Sequence, residues 1–443
     1  MQKSDIWVIC WQSLLFTAVI CQNNIEYTNK LRKVFEWKQL DFDFGSDIAR
    51  EAAIRNGRYR PGASIPIDVD VHYGINGHVV FVTMPRLEQG IPITLGYVTE
   101  LVSAEGNPLI APYPSWEWNK LGDCDAITST YRVQIDECER LWVLDTGMIG
   151  DRRICPPQIL SFSLSTNKLL SRYKIPSDQY MDKSLFVTPA VDLRSLVDLK
   201  CRDTFVYAAD VTRFGLVVYD HRAGRSWRIN NNLFYPYPPY GTFEIRSEKF
   251  DLMDGILGLA LGPVRADGDR ILYFHSLASR TESYVPTSVI RNSTTFENNP
   301  DASARSFQSF ILQRPSQSAA EAMDRDGVLY FGLMTDLAIA CWNSKHYPEF
   351  GGRNIEKLVI NEDTLQFASG LKVISPRTNR QELWVSTAAF QRYIGGTLRS
   401  NETNFRIQAG YIDELTRGTK CDVSALDVYL HTQGRLPSPA PAP

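Results

Sequence analysis

Apolar residues along this chain gather in short, β-branched and aromatic runs rather than in helical stripes. The clearest are His78-Val79-Val80-Phe81-Val82-Thr83, Leu141-Trp142-Val143-Leu144-Asp145, Thr204-Phe205-Val206-Tyr207-Ala208, Ile271-Leu272-Tyr273-Phe274-His275, Val328-Leu329-Tyr330-Phe331-Gly332 and Glu382-Leu383-Trp384-Val385-Ser386. Runs of this length and composition predict strands; only Ile48 to Arg55 reads as a helix. Taking Val79, Leu141, Phe205, Leu272, Leu329 and Leu383 as markers, the run recurs at intervals of 62, 64, 67, 57 and 54 residues. Asn76-Gly77, Asp267-Gly268 and Asp326-Gly327 precede three of the copies, and these pairs accept the positive φ of two-residue hairpins. Further strands follow each marker, such as Gln158 to Leu164 and Leu169 to Ile175, or Gly215 to Asp220 and Ser226 to Ile229. Six units of four antiparallel strands predict an all-β fold, a six-bladed β-propeller. The period is too long for WD40 or kelch blades.

After the sixth marker only Asn404 to Ile412 follows as a strand, so the last blade is one strand short. Val34 to Phe42 supplies a strand before the first unit, and pairing it with the last blade closes the ring and removes two sheet edges. Residues 1–21 read as a secretory signal, with Lys3 ahead of an apolar stretch ending near Cys21. Residues 22–430 form the propeller, and residues 431–443 a Pro-rich disordered tail. The exported chain keeps Cys124, Cys138, Cys155, Cys201, Cys341 and Cys421, without a Cys-x-x-Cys pair. Three disulfides are expected. Cys138 and Cys201 fall in hairpin turns of adjacent blades, Cys124 and Cys155 on the opposite face. The expected pairs are therefore 124–155 and 138–201, with Cys341 tied to Cys421. Asn292 and Asn401 begin N-glycosylation sequons.

Composition narrows the function. With 47 Lys and Arg against 50 Asp and Glu, the net charge is −3, and no basic run marks a nucleic-acid surface. No later apolar segment is long enough to span a membrane. Gly-x-Ser-x-Gly, His-Glu-x-x-His, P-loop and Gly-x-Gly-x-x-Gly motifs are missing. Asp68, Asp70 and His72 alternate on one strand face, which suits a metal or acid–base site. Asp70, Asp136, Asp192 and Asp324 nevertheless each occupy the end of a blade's first strand, the place of a turn-capping residue. The inner strands at Gly255 to Ala260 and Gly370 to Ile374 lack the oxygen ligands of a calcium cage. No metal and no cofactor is expected.

Arg140-Leu141-Trp142-Val143-Leu144-Asp145-Thr146-Gly147, Cys155-Pro156-Pro157-Gln158-Ile159, Val206-Tyr207-Ala208-Ala209-Asp210-Val211 and Ala340-Cys341-Trp342-Asn343 resemble segments of the yellow/major royal jelly protein family, and the likeness runs from Phe35 to Cys421. The resemblance implies a secreted, extracellular insect protein with a six-bladed propeller and a role around melanin, cuticle or eggshell pigmentation. Some members resemble dopachrome-converting enzymes, salivary relatives bind biogenic amines in the central pocket, and royal jelly members are nutritive.

Propeller ligands sit over the channel, among inter-blade links and the loops after each marker strand. There the chain offers Trp116, Trp118, Tyr237, Tyr240, Phe367, Phe390 and Tyr393, with Asp145, Asp210, Asp254, Asp336, Asn343, Asn361 and Thr364 as acceptors. An arylalkylamine needs an aromatic face and an acceptor for its ammonium group. Asn343, Phe367, Phe390, Asp336, Trp116 and Tyr240 are the expected ligand-binding residues. The expected function is to bind, and as a dopachrome isomerase-like enzyme to convert, a small aromatic amine or quinone. The alternatives are a non-catalytic structural or storage protein and a metal-dependent lactonase.

Overall fold

The computed structural model describes residues 30–74, 77–195, 200–376 and 380–424. The signal stretch, Asn76 and the Pro-rich tail lie outside them. Six sheets surround a central axis. Their inner strands are Asp68–Gly74, Thr130–Ile135, Phe186–Leu193, Ile256–Leu261, Glu321–Met323 and Ala368–Ile374, numbered here as blades 1 to 6. In every blade the marker run forms the second strand, antiparallel to the inner one. Each inner strand therefore runs from an upper face, which carries the inter-blade links, to a lower face, which carries the hairpins between first and second strands.

Blade 6 is completed by the N-terminal strand Arg32–Trp37, which pairs antiparallel with Phe405–Tyr411. The single strand expected over Val34 to Phe42 is in fact two. After Trp37 the chain crosses to blade 1, where Asp41–Phe42 adds a parallel fifth strand beside Pro108–Pro112. The crossing covers the outer edge of blade 1, an unpaired ladder otherwise open to a second chain. Trp37, fully buried, locks it by donating its indole N–H to the Pro108 carbonyl at 2.8 Å.

Disulfides join Cys124 to Cys155, Cys138 to Cys201 and Cys341 to Cys421. The last closes 80 residues of chain and holds the end of the described chain against blade 5. A loop of that size shifts unfolding by about 4.5 kcal/mol in the chain-entropy picture. Replacing both Cys341 and Cys421 by serine is expected to lower the denaturant midpoint accordingly, with blades 1 to 3 unaffected by limited proteolysis. Coincident unfolding curves for the two proteins would refute this.

Candidate functional site along the channel

The channel is divided by one side chain. Arg132, buried on the inner strand of blade 2, points across the axis. Its Nη1 donates to Thr188 Oγ1 at 2.8 Å and the Leu257 carbonyl at 3.3 Å, and its Nη2 to the carbonyls of Ala319 at 3.1 Å and Ser369 at 2.7 Å. These acceptors belong to blades 3 and 4, the link into blade 5, and blade 6. Burial lowers the Arg132 pKa, opposed by the charges of Asp68 and Glu321.

Above Arg132 the channel is apolar and aromatic. The link between blades 3 and 4 folds into a hairpin arm, Thr242–Ile245 with Glu248–Asp251, whose Phe243, Ile245 and Phe250 join the central hydrophobic cluster. Phe243 stacks on Phe250 at 5.1 Å. Phe250 lies 5.6 Å from Phe390, and Phe390 stacks on Phe367 at 4.2 Å. Ion pairs anchor the arm on the far side: Glu248 to Arg392 at 3.0 Å and Arg246 to Asp363 at 3.2 Å.

Of the six residues expected to bind ligand, Phe367 and Phe390 meet here. Trp116 stacks instead on Phe44 at 5.1 Å. Tyr240 lies under the Arg280 guanidinium and donates to Gln313 Oε1 at 3.2 Å, toward the outer edge of blade 4. Asp336 is on the upper face but paired with Lys357 at 2.6 Å. Asn343 ends the third strand of blade 5, which runs back to the lower face, and accepts the N–H groups of Lys345 and His346.

The other upper-face acceptors are mostly occupied. Asp145 accepts from the backbone of Thr128, Ser129 and Gly147 and from Gln158. Asp210 accepts from Ser184 and Leu185 and pairs with Arg228 at 2.9 Å. Asn361 accepts from Asp363 and Thr364. Asp254 differs. It descends from the arm just before the inner strand of blade 4, and its backbone is fixed by Gly255 N–H to Val211 and by Ala278 N–H to its own carbonyl. Its carboxyl has no hydrogen-bond or ion-pair partner among the described residues. Asp254 is half-buried, and its partial loss of water, the one cause of the shift, pushes its pKa up to about 7. The Asp254 charge also helps, after burial, to hold the Tyr131 hydroxyl above its ordinary value. Tyr131, Leu185, Leu252 and Tyr393 are half-buried against the same apolar cluster.

Below Arg132 a polar cavity of about 560 Å³ opens on the lower face. Asp68, Asp70 and His72 share its wall, as their alternation implies. Asp68 pairs with Lys372 at 2.8 Å and accepts Val133 N–H at 3.1 Å. Asp70 accepts Ile135 N–H of blade 2 at 2.8 Å. Asp70 is therefore not the turn cap that its recurrence suggested but a lace between blades. Asp136 and Asp324 do cap their hairpins, through the N–H groups of Cys138 and Arg140 and of Asp326 and Val328. Asp192 instead faces the Tyr207 hydroxyl at 2.9 Å and Arg194.

Burial raises the Asp70 pKa from 3.8 to about 7, with Lys372 opposing. The folded state thus keeps a proton on Asp70 that the unfolded chain has already lost, and its contribution to stability falls as pH rises from about 4 to about 7. Replacing Asp70 by asparagine is expected to remove up to about 1.4 kcal/mol of that fall per pH unit. Urea unfolding at several pH values across the window reads this directly, and parallel pH profiles for the two proteins would refute it.

A family model described as Major royal jelly protein matches residues 128–421. The chain is 35% identical to Major royal jelly protein 9 of Apis mellifera, over 93% of this chain and 96% of that protein. It is 34% identical to Protein yellow of Drosophila guanche, over 93% of this chain and 70% of that protein. With the Dopaminechrome tautomerase of Drosophila melanogaster it shares 31% identity, over 92% of this chain and 87% of that protein. Among the described residues no helix is long and apolar enough to cross a membrane.

Proposed function

The chain belongs to the major royal jelly protein family, alongside the yellow proteins it resembles throughout, and from that premise we propose that it is a secreted, pigment-related propeller. Its ligand is a small catechol- or indole-derived amine, or the aminochrome formed from one, held at the upper end of the channel. The observation that carries this reading is Asp254: an unpartnered carboxyl just after the aromatic arm and close enough to Tyr131 to shift it, where the other upper-face acids are already engaged. An arylalkylammonium ion gives such a carboxyl its missing countercharge, and Phe390, Tyr393 and Tyr131 offer flat apolar surface to its ring.

The same group suits conversion. Isomerising an aminochrome to a dihydroxyindole moves two protons from ring carbons to the two quinone oxygens without net oxidation. A base removes one ring C–H proton, and the electron pair passes through the ring to one quinone oxygen, which takes up a proton from solvent. Loss of a proton from the adjacent carbon with protonation of the second oxygen completes the dihydroxyindole. A carboxyl titrating near neutrality is well matched to the first step. A relative that carries the name Dopaminechrome tautomerase supports this reading.

Two assays on the purified secreted chain decide it. Dopaminechrome colour is expected to decay faster with the wild-type protein than with buffer, and at least a hundredfold slower with Asp254→Asn than with wild type. Saturable heat with dopamine but no accelerated decay would leave a binder. Neither heat nor decay would place the protein with the non-catalytic structural or storage members.

A further inference from the structure

Between blades 4 and 5, away from Asp254, three metal-ligating groups converge in the protein interior. His275 stands on the second strand of blade 4, Glu282 on its third and Glu321 on the inner strand of blade 5. All three side chains are fully buried. His275 Nδ1 lies 3.1 Å from Glu282 Oε2 and 3.0 Å from Glu321 Oε2, and the three ligand atoms fall within 4.8 Å of one another. We propose that His275, Glu282 and Glu321 form a divalent-metal site, with zinc as the best match to one imidazole and two carboxylates.

Three features favour a metal over a plain ion-pair cluster. First, His275 Nε2 lies 3.1 Å from the Ser318 carbonyl. An N–H donated there leaves the Nδ1 lone pair free and aimed between the carboxylates, the orientation that metal-bound histidines commonly take from their outer partner. Second, Glu282 Oε1 and Glu321 Oε1 are buried with no hydrogen-bond partner. An imidazolium at His275 satisfies neither, whereas a metal ion with a bound water or bidentate carboxylate uses them. Third, the backbone makes room for the ring: a Cβ at Gly258 would stand 2.2 Å from His275 Cε1.

The spacing is also close to what is required. Two ligands about 2.1 Å from a tetrahedral zinc lie about 3.4 Å apart, so the 3.0 and 3.1 Å contacts need open by only a few tenths of an ångström. Glu321 belongs to the strand that lines the lower cavity, while its carboxylate is buried behind that wall with the other two ligands. Arg314 pairs with Glu282 and offsets one of the two carboxylate charges, so the site favours a borderline ion with a nitrogen ligand over calcium, which prefers all-oxygen cages.

The test uses the full disulfide-bonded secreted chain, stripped with chelator and dialysed against zinc alone, then desalted and assayed for metal by mass spectrometry. Wild type is expected to retain about one zinc per chain, and Glu321→Gln and His275→Gln at least tenfold less, at unchanged circular dichroism. Cobalt in place of zinc should give visible d–d absorption in wild type that both variants lose. Should His275→Gln fail to fold, Glu321→Gln decides alone. Wild-type protein that retains less than a tenth of a zinc per chain overturns the proposal, as do variants that keep theirs; either result makes the cluster a buried imidazolium clasp.

Discussion

Arg132→Met is expected to be the most damaging single substitution in this propeller, lowering unfolding free energy by about 3–5 kcal/mol. Methionine fills most of the volume but donates nothing, so Thr188 Oγ1 and the carbonyls of Leu257, Ala319 and Ser369 lose a common donor near the axis. Each buried acceptor left bare costs about 1–3 kcal/mol, reduced where water enters from the cavity below. Asp68 and Glu321 also lose a nearby positive charge, although Asp68 keeps its pair with Lys372. Arg132→Lys should fall between wild type and Arg132→Met, because one ammonium cannot reach acceptors on both sides of the channel. Guanidinium unfolding of the three proteins checks the order. A loss below about 1 kcal/mol for Arg132→Met would show that the blades are held by their apolar faces alone.

Asp254→Asn is the second large effect, and it acts on ligand rather than fold. The change is nearly isosteric and removes a charge that no protein group balances. The variant should therefore fold normally and resist denaturation better than wild type above pH 7, where the wild-type carboxylate is charged and poorly hydrated. Dopamine affinity should nonetheless fall by about 30- to 100-fold, the equivalent of about 2–3 kcal/mol for a desolvated ion pair. Calorimetric titration of both proteins at pH 7.5 reads the ratio. Removing one ring, as in Phe390→Ala, is expected to weaken binding without altering its pH dependence.

Much of the scaffold could be read from the chain, because strand period and turn chemistry are local signals. The marker runs, the helix at Asp47–Arg55 and the closing strand against Phe405–Tyr411 all follow from alternation and from Asn-Gly or Asp-Gly punctuation. The cystine partners followed in turn, since placing each cysteine on one face of the ring leaves few geometries open. The split of the N-terminal strand at Trp37 was not legible, because it depends on which of two sheet edges lies within reach.

The site was only half legible, for a physical reason. Phe367 and Phe390 were expected at the upper face and stack there, but which acid stays free is decided by partners far away in sequence. Asp210 is taken by Arg228 and Asp336 by Lys357, and no local pattern shows that Asp254 is left over. Asn343 was expected on the upper face, yet the third strand carries it to the other end of the blade. The arm at Thr242–Asp251 carries a period-two signal in Thr242-Phe243-Glu244-Ile245, and counting it as a hairpin would have exposed the cap over the channel. Arg132 and the His275–Glu282–Glu321 cluster gave no such signal, since the acceptors of Arg132 and the third member of the cluster, Glu321, come from other blades.

An ammonium ion held by Asp254 binds only when that carboxyl is ionised, and this proton requirement is what calorimetry across pH 5.5 to 8.5 can see. Dopamine affinity should rise about tenfold per pH unit below 7 and level off above it, following a group that titrates at about 7, while Asp254→Asn stays weak and flat throughout. Wild-type affinity independent of pH, or an Asp254→Asn protein that binds dopamine as tightly as wild type, would contradict an amine site at the upper end of the channel.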